Sequence, residues 1–367
     1  MDCFVPRNDR NLNFNYNPNF PMTKITANPL FNPTWDDLVE NRTIIKWNTT
    51  WLFQLTNTKY SWAKSLYPVM IGNFWVPEKV SWLGEDSVSF KKDLSEWEQR
   101  AYKWILSFLI FLDSIQTVNL PNFNEYITAP EVNLILAIQA YQEAIHSQSY
   151  ATILESVVES KVRDEIYYFW RDDEILLERN KFIWGIYQDF IGNPSEKNLF
   201  RWIVGNYLLE WLYFYNWFAF FDTLADQGKM VATDRMINYI RRDELTHVTL
   251  FANIIREIKN EFPAIYDEKM LLDMMKTAVE QEIKWSKHII AWSVIGMSDI
   301  NIENYTKYLA NQRLILVWIK PMYPEIITNP FKHLDRLQDN NSEKWNFFES
   351  TVTNYTQSSS MKWGWDF

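Results

Sequence analysis

Two of the chain's four histidines stand three residues after a glutamate, in the pairs Glu143–His146 and Glu244–His247. Residues three apart lie on one face of a helix, about one turn apart, so each pair would present a carboxylate beside an imidazole. Both groups bind transition metals, and two such faces turned toward each other can hold two ions. Neither of the other two histidines has a glutamate at this spacing. The pattern therefore predicts a two-metal site built from helices.

Two isolated acids complete the predicted ligand set. Charge neutrality for two divalent ions requires about four carboxylates, and the two motifs supply two. Asp113 is the only acid in residues 99–118 and directly follows the run WILSFLIFL, and Glu210 is the only acid in residues 200–221. A lone carboxylate among apolar residues is costly unless a metal or partner compensates it. A solvated helix face is the alternative for either acid alone, but we expect both to join the metal site.

Four long helical segments would position these ligands, and the repeated Glu-x-x-His pair is typical of di-iron and di-manganese helix bundles. No proline lies between Pro130 and Pro194 or between Pro194 and Pro263, the two gaps that contain the motifs. The first segment is predicted from the capping box at Ser95 to about Asn119, and the second begins at Pro130 and carries the first motif. The third is predicted from about Pro194 to Gly228 and the fourth from about Thr233 to Asn260. Further helical patterns lie at 155–190 and 264–320.

Composition limits the function further. The chain has 367 residues, 17% of them aromatic, and only eight glycines, which favours long helices with an aromatic core. A net charge of −10 argues against nucleic-acid binding. Cys3 is the only cysteine, which excludes an internal disulfide or a cysteine-based zinc site. The N-terminus lacks a signal-peptide core, and the apolar run Trp104–Leu112 is too short to span a bilayer, so we expect a cytoplasmic protein without a membrane partner.

Three regions differ in composition. Residues 1–34 are rich in Asn and Pro and should form an irregular arm. Residues 35–340 contain the helical patterns and should form one domain. Residues 341–367 are polar, end in MKWGWDF and should form a flexible tail that orders on a partner.

The residues around the motifs resemble a known family. The stretches FWVPEKV (74–80), LDSIQ (112–116), EAIHSQSY (143–150), LLEWLYFYNWFAF (208–220) and RRDELTH (241–247) resemble the small, radical-generating subunit of class I ribonucleotide reductase. The resemblance implies an all-α, ferritin-like helix bundle with extra helices and two iron ions per chain. It assigns Asp113, Glu143 and His146 to one iron and Glu210, Glu244 and His247 to the other. The same ligands suit manganese.

The resemblance makes Tyr150 the radical-bearing residue. This tyrosine lies four residues after His146 and should therefore face the metals from the same helix. Phe214, Phe218 and Ile240 match the family's apolar pocket around the radical. Core packing alone is the alternative explanation for such an aromatic stripe.

Two further residues match the family's electron-transfer route. Trp75 matches the transfer tryptophan, and Asp243 matches the aspartate that links it to a metal-bound histidine. A ligating imidazole commonly donates its second N–H to a carboxylate, and Asp243 precedes Glu244 directly, so it should point away from the metals. In the tail, Tyr355 resembles the interface tyrosine, Glu349 its upstream acid and Phe367 the apolar anchor for the large subunit.

The predicted function is therefore the small subunit of ribonucleoside-diphosphate reductase. Its di-iron centre would use O₂ to oxidise Tyr150, and the radical would pass through Trp75 and Tyr355 to the large subunit, which reduces the nucleotide. A homodimer is expected from the resemblance. A di-iron oxidase or hydroxylase acting directly on a small substrate, and a non-catalytic metal-binding bundle, are the alternatives.

Overall fold

The computed structural model describes residues 23–35, 38–290 and 294–334, and within them the chain forms eleven α-helices and no strand. The helices are α1 Ser61–Gly72, α2 Leu83–Lys92, α3 Glu96–Asn124, α4 Pro130–Val157, α5 Ser160–Asp172, α6 Glu174–Gly192, α7 Glu196–Leu208, α8 Phe214–Asp226, α9 Val231–Glu261, α10 Glu268–Ile290 and α11 Asp299–Leu316. The all-α helix bundle expected from the sequence is confirmed.

Helix α3 begins where the sequence predicted but ends later. Ser95 Oγ accepts the backbone N–H of Glu98, and the Glu98 carboxylate accepts the backbone N–H of Ser95, which forms the predicted capping box. The helix continues through Pro121 to Asn124, beyond its predicted end at Asn119. Packing accounts for the difference, because the ring of Phe123 stacks on Trp202 with centroids 4.1 Å apart.

The third predicted helix is divided into α7 and α8 by a π-helical turn, Leu209–Tyr213. Such a turn inserts one residue into the helix and is common at functional sites. Glu210 lies within it. Because the apolar pattern continues across the turn, the sequence gives no sign of it.

Helix α9 begins at Val231, two residues before the predicted start at Thr233. The Asp86 carboxylate of α2 accepts the backbone N–H groups of Ala232 and Thr233 at 3.3 and 2.6 Å. A cap supplied from a different helix satisfies the free donors of the first turn, and local sequence cannot reveal it.

Helices α3, α4 and α9 and the turn between α7 and α8 surround the centre of the bundle, while α1 and α2 pack on both α4 and α9. One described helix, α3, is long and apolar enough to cross a membrane by length and composition. The most apolar window of α3 is 61% buried, as expected for the core helix of a folded domain. Residues 23–35 of the predicted arm are not helical, and hydrogen bonds from Ile25 to Pro194 and from Glu196 to Thr23 attach them to the start of α7.

Candidate metal centre

The six predicted ligands come together at the centre of the bundle. Asp113 lies on α3, Glu210 in the π-helical turn, and the two Glu-x-x-His pairs on α4 and α9. All six side chains are completely buried. They form two overlapping groups in which the ligand atoms lie within 4.8 Å of one another: Asp113, Glu143, His146 and Glu244, and Glu143, Glu210, Glu244 and His247.

Glu143 and Glu244 belong to both groups, which refines the ligand division that the resemblance implied. His146 Nδ1 lies 3.6 Å from Glu143 Oε2 and 3.1 Å from Glu244 Oε1. His247 Nδ1 lies 3.2 Å from Glu143 Oε1 and 3.0 Å from Glu244 Oε2. Each of these two glutamates therefore turns one oxygen toward each histidine, so each could be shared between two ions.

The donor set fits two divalent cations. Buried polar atoms in proteins nearly always have hydrogen-bond partners. Among the described residues, none is found for either carboxylate oxygen of Asp113, for Oε2 of Glu143 and Glu210, for Glu244 Oε1 or for His146 Nδ1. Four carboxylates balance the charge of two divalent ions, and the two imidazoles add neutral ligands.

The pKa shifts of the candidate ligands show that these buried groups interact with one another. Burial raises the pKa of Asp113 well above its ordinary value, and repulsion from Glu143 raises it further. Burial and the charges of Glu143 and Glu244 likewise raise the pKa of Glu210. Burial alone would also raise the pKa of Glu244, but the two histidines lower it. Bound cations would relieve the repulsion among these carboxylates.

The second nitrogen of each histidine is held by a residue on the opposite helix. Nε2 of His146 on α4 lies 3.1 Å from Asp243 Oδ2 on α9, and Nε2 of His247 on α9 lies 3.0 Å from Gln142 Oε1 on α4. With Nε2 as the hydrogen-bond donor, Nδ1 of each ring keeps the lone pair that a metal requires. Sequence reasoning identified Asp243 but missed Gln142. Gln142 directly precedes Glu143 just as Asp243 precedes Glu244, and this parallel could have identified it.

Trp75 lies where the resemblance placed it, beside Asp243. Its indole Nε1 donates to Asp243 Oδ2 at 2.7 Å, and its ring stacks on Tyr239 with centroids 5.1 Å apart. Because the same Asp243 oxygen contacts His146, a continuous hydrogen-bonded chain connects Trp75 to one candidate metal ligand. Trp75 itself is buried.

Tyr150 is completely buried on α4. Burial raises the pKa of its phenol well above the ordinary value, and the charges of Asp113, Glu244 and Glu143 raise it further. The aromatic and aliphatic residues predicted to surround it, Phe214, Phe218 and Ile240, are all buried. The phenol is therefore shielded from water, and burial and the nearby carboxylates favour its protonated form.

The predicted tail residues Glu349, Tyr355 and Phe367 lie outside the described residues. The domain boundaries at 34 and 340 also stay predictions, and the second of them lies outside the described residues.

Comparisons with known proteins show which family the chain resembles. Residues 52–330 match the family model "Ribonucleotide reductase, small chain". The chain is 40% identical over 344 residues to the ribonucleoside-diphosphate reductase subunit beta of Treponema pallidum, covering 92% of this chain and 97% of that protein. It is 38% identical over 304 residues to the subunit of the same name from Halalkalibacterium halodurans, covering 82% and 88%.

A solved structure of the ribonucleotide reductase R2 subunit from Clostridium botulinum superimposes with a TM-score of 0.83 at 46% identity, covering 86% of this chain and 99% of that one. The sequence similarity and the shared fold each extend over nearly the whole of these proteins. The chain belongs to the ribonucleotide reductase small chain family.

Proposed function

We propose that this chain is the radical-generating subunit of a ribonucleoside-diphosphate reductase. The observation that carries the proposal is the hydrogen-bonded chain from Trp75 through Asp243 to His146, because it joins an oxidisable side chain to a candidate metal ligand. A purely structural metal site has no need of such a connection. The relatives named subunit beta of the same enzyme support the proposal independently.

Tyr150 is the residue that we propose to hold the radical. When bound, the metal pair, iron or manganese, supplies the oxidising power drawn from O₂. Tyr150 would give up one electron and its hydroxyl proton, which leaves a neutral phenoxyl radical. After burial, the Asp113 carboxylate raises the pKa of the phenol most, so we propose that Asp113 influences that proton. Complete burial of Tyr150 would protect the radical from reductants in solution.

Asp243 would manage the proton of Trp75 during transfer. Oxidation of an indole makes its N–H strongly acidic, and Asp243 Oδ2 lies only 2.7 Å from Trp75 Nε1. The carboxylate can therefore hold the proton while the electron moves, and return it when Trp75 is reduced again. The next step outward is proposed to use Tyr355 in the C-terminal tail.

A partner must perform the nucleotide chemistry. Membership of the family implies association with the large subunit and formation of a dimer. The single cysteine of this chain, Cys3, cannot supply the several thiols that reduction of a ribose requires. We propose that residues 341–367 bind the large subunit, with the terminal Phe367 as an apolar anchor.

The burial of the centre weighs against an oxidase or hydroxylase that acts directly on a substrate. All six candidate ligands and Tyr150 have no solvent exposure. A cavity of about 160 Å³ lies at the start of α9, but none of its lining residues is a candidate ligand: Trp82, Glu85, Asp86, Val231, Ala232 and Arg235. Electron transfer through the protein needs no channel from the surface to the candidate ligands.

Electron paramagnetic resonance tests the proposal. Apoprotein is loaded with Fe(II), or in parallel with Mn(II), and exposed to O₂. We expect a tyrosyl signal that is lost in Tyr150→Phe but kept in Tyr102→Phe, a buried tyrosine whose hydroxyl contacts Thr233 instead. Metal binding without any tyrosyl signal in the native protein would argue for the oxidase or structural alternative.

A further inference from the structure

We infer that three amide side chains, those of Gln116, Gln139 and Asn206, are positioning residues that make Glu210 bind metal through Oε2 alone. The inference rests on the metal site of the proposed function. It concerns residues that neither the motifs nor the resemblance assigned. They come from α3, α4 and α7, so only the folded bundle brings them together.

All three amides direct their NH₂ groups at one oxygen of Glu210. The distances to Glu210 Oε1 are 2.6 Å from Gln116 Nε2, 2.8 Å from Gln139 Nε2 and 3.1 Å from Asn206 Nδ2. The three side chains are buried, with relative exposures of 0%. When a bound cation keeps Glu210 ionised, these hydrogen bonds are about twice as strong as bonds between neutral groups, and burial protects them from competing water.

The other oxygen of Glu210 has the opposite environment. Oε2 has no hydrogen-bond partner among the described residues and lies 3.4 Å from Nδ1 of His247. A carboxylate oxygen has two lone pairs in its plane, so three donors leave Oε1 no capacity for a metal ion. Oε2 is therefore the atom available to the ion that His247 would bind.

Tyr187 sets the orientation of two of these amides. Its hydroxyl lies 3.1 Å from Gln116 Oε1 and 3.3 Å from Asn206 Oδ1, so the carbonyl ends of both amides face Tyr187. The NH₂ end of Gln116 then lies 2.6 Å from both Glu210 Oε1 and Asn206 Oδ1, and that of Asn206 faces Glu210. Gln139 adds a connection between two ligands, since its NH₂ group also lies 3.3 Å from Glu143 Oε1.

Neutral donors suit this task better than cations would. A lysine or arginine at these positions would also bind Glu210, but its charge would repel the metal ions and cancel part of the negative charge they require. Amides fix the carboxylate and leave its charge available to the metal. His247, the histidine beside Glu210, likewise contacts a neutral amide, that of Gln142. His146 contacts the carboxylate of Asp243 instead.

The test removes donors while nearly conserving volume. We propose the double variant Gln116→Met/Gln139→Met, with Gln148→Met, an exposed residue of the same helix α4, as the matched control. Crystal structures of the Mn(II)-loaded proteins would give the binding mode of Glu210, and competition with a chromogenic chelator would give the Mn(II) affinity. Tyr187→Phe provides a milder second variant that alters orientation and removes no donor to Glu210.

We expect Glu210 in the native protein to bind through Oε2 only, with Oε1 still on the amides. In the double variant Glu210 should bind through both oxygens or bridge the ions, and affinity should fall about 10- to 100-fold, the range for loss of such outer contacts. Tyr187→Phe should weaken affinity less, and Gln148→Met should not change it. If the double variant does not fold, the binding mode of Glu210 and the Mn(II) affinity are measured in Gln139→Met and Tyr187→Phe instead.

Either of two results would overturn the inference and leave the proposed function standing. One is a native structure in which Glu210 binds metal through both oxygens, and the other is unchanged binding mode and affinity in the variants. A native protein that binds no metal under these conditions would instead overturn the proposed function, and the inference with it. The two failures are therefore distinguishable.

Discussion

The indole N–H of Trp75 donates to Asp243 across 2.7 Å, although the two residues are 168 positions apart in the chain. The same oxygen of Asp243 lies 3.1 Å from His146 Nε2. Trp75 reaches this position from the segment between α1 and α2, while the other two residues come from α9 and α4. One carboxylate oxygen thus holds a candidate metal ligand and a candidate redox residue at once.

Replacing Asp243 should separate these two roles. Asp243→Ala leaves the buried N–H groups of Trp75 and His146 without an acceptor, at a cost of about 1–3 kcal/mol each, and should weaken metal binding about 10- to 100-fold. Asp243→Asn keeps an acceptor and removes only the charge. We expect the Asn variant to bind metal and form the tyrosyl radical, yet to lose nucleotide reduction, because an amide is a poor base for the Trp75 proton.

The measurements for Asp243 are metal content, the tyrosyl signal and nucleotide reduction in the presence of the large subunit. Trp75→Phe is the matched control and should show the same loss of turnover with the radical intact. Full turnover in either Asp243→Asn or Trp75→Phe would remove this hydrogen bond from the transfer route.

Tyr355→Phe should leave the Tyr150 radical intact and abolish nucleotide reduction, since phenylalanine cannot be oxidised under these conditions. The tyrosyl signal and turnover are measured on the same preparation. A variant that turns over normally would exclude Tyr355 from the route.

Deleting the last dozen residues should weaken binding of the large subunit without changing the metal content. Surface plasmon resonance with immobilised large subunit measures the first quantity, and elemental analysis the second. Equal affinity of the truncated and full-length chains would contradict the proposed anchoring role of the tail.

Metal binding should stabilise the fold, and Asp113→Asn should affect stability differently with and without metal. A ligand that binds only the folded state at 100 times its dissociation constant adds about 2.7 kcal/mol of stability per site. Asp113→Asn should abolish much of this gain. In the metal-free protein the same change should be neutral or stabilising, because burial and Glu143 already raise the pKa of Asp113 well above its ordinary value.

Thermal unfolding of the native chain and of Asp113→Asn, each with chelator and with added Mn(II), checks this prediction. A metal-free Asp113→Asn variant that melts well below the metal-free native chain would show that the carboxylate stabilises the fold by itself. An unchanged response to metal would exclude Asp113 as a ligand.

The sequence revealed the six ligands because carboxylates and imidazoles are rare within long apolar helices. Asp113 and Glu210 stand alone in runs of about twenty residues, and helical spacing alone places each Glu-x-x-His pair on one face. The amides around Glu210 gave no comparable signal. Glutamine and asparagine are ordinary on helix surfaces, and only the packing of three helices shows that these ones are buried.

Helix boundaries were predictable where local capping decides them and not where tertiary contacts do. The Ser95 capping box and the proline at the start of α4 are local signals, and both starts are confirmed. The start of α9 depends on Asp86 from α2. The short helices α1 and α2 were not predicted, since α1 contains Pro68 and α2 spans only ten residues.

A buried ion pair outside the ligand set should influence the stability of the fold and contacts the π-helical turn. Arg179 of α6 forms a salt bridge with Glu282 of α10, and both side chains are almost completely buried. Arg179 also donates to the carbonyl of Tyr213 at 3.3 Å, the last residue of the π-helical turn that contains Glu210. Burial raises the pKa of Glu282 and lowers the pKa of Arg179, so each charge depends on its partner.

Glu282→Ala should therefore destabilise the protein by about 3–5 kcal/mol, because it leaves the Arg179 guanidinium buried without a counter-charge. Asp273→Ala, at the exposed Lys269–Asp273 pair, is the matched control and should change stability by less than about 1 kcal/mol. The double variant Arg179→Met/Glu282→Leu should recover most of the loss, since it buries no charge. Urea unfolding of the metal-free proteins gives the three values. If Glu282→Ala and the control lose equal stability, the buried pair makes no special contribution to the stability of the fold.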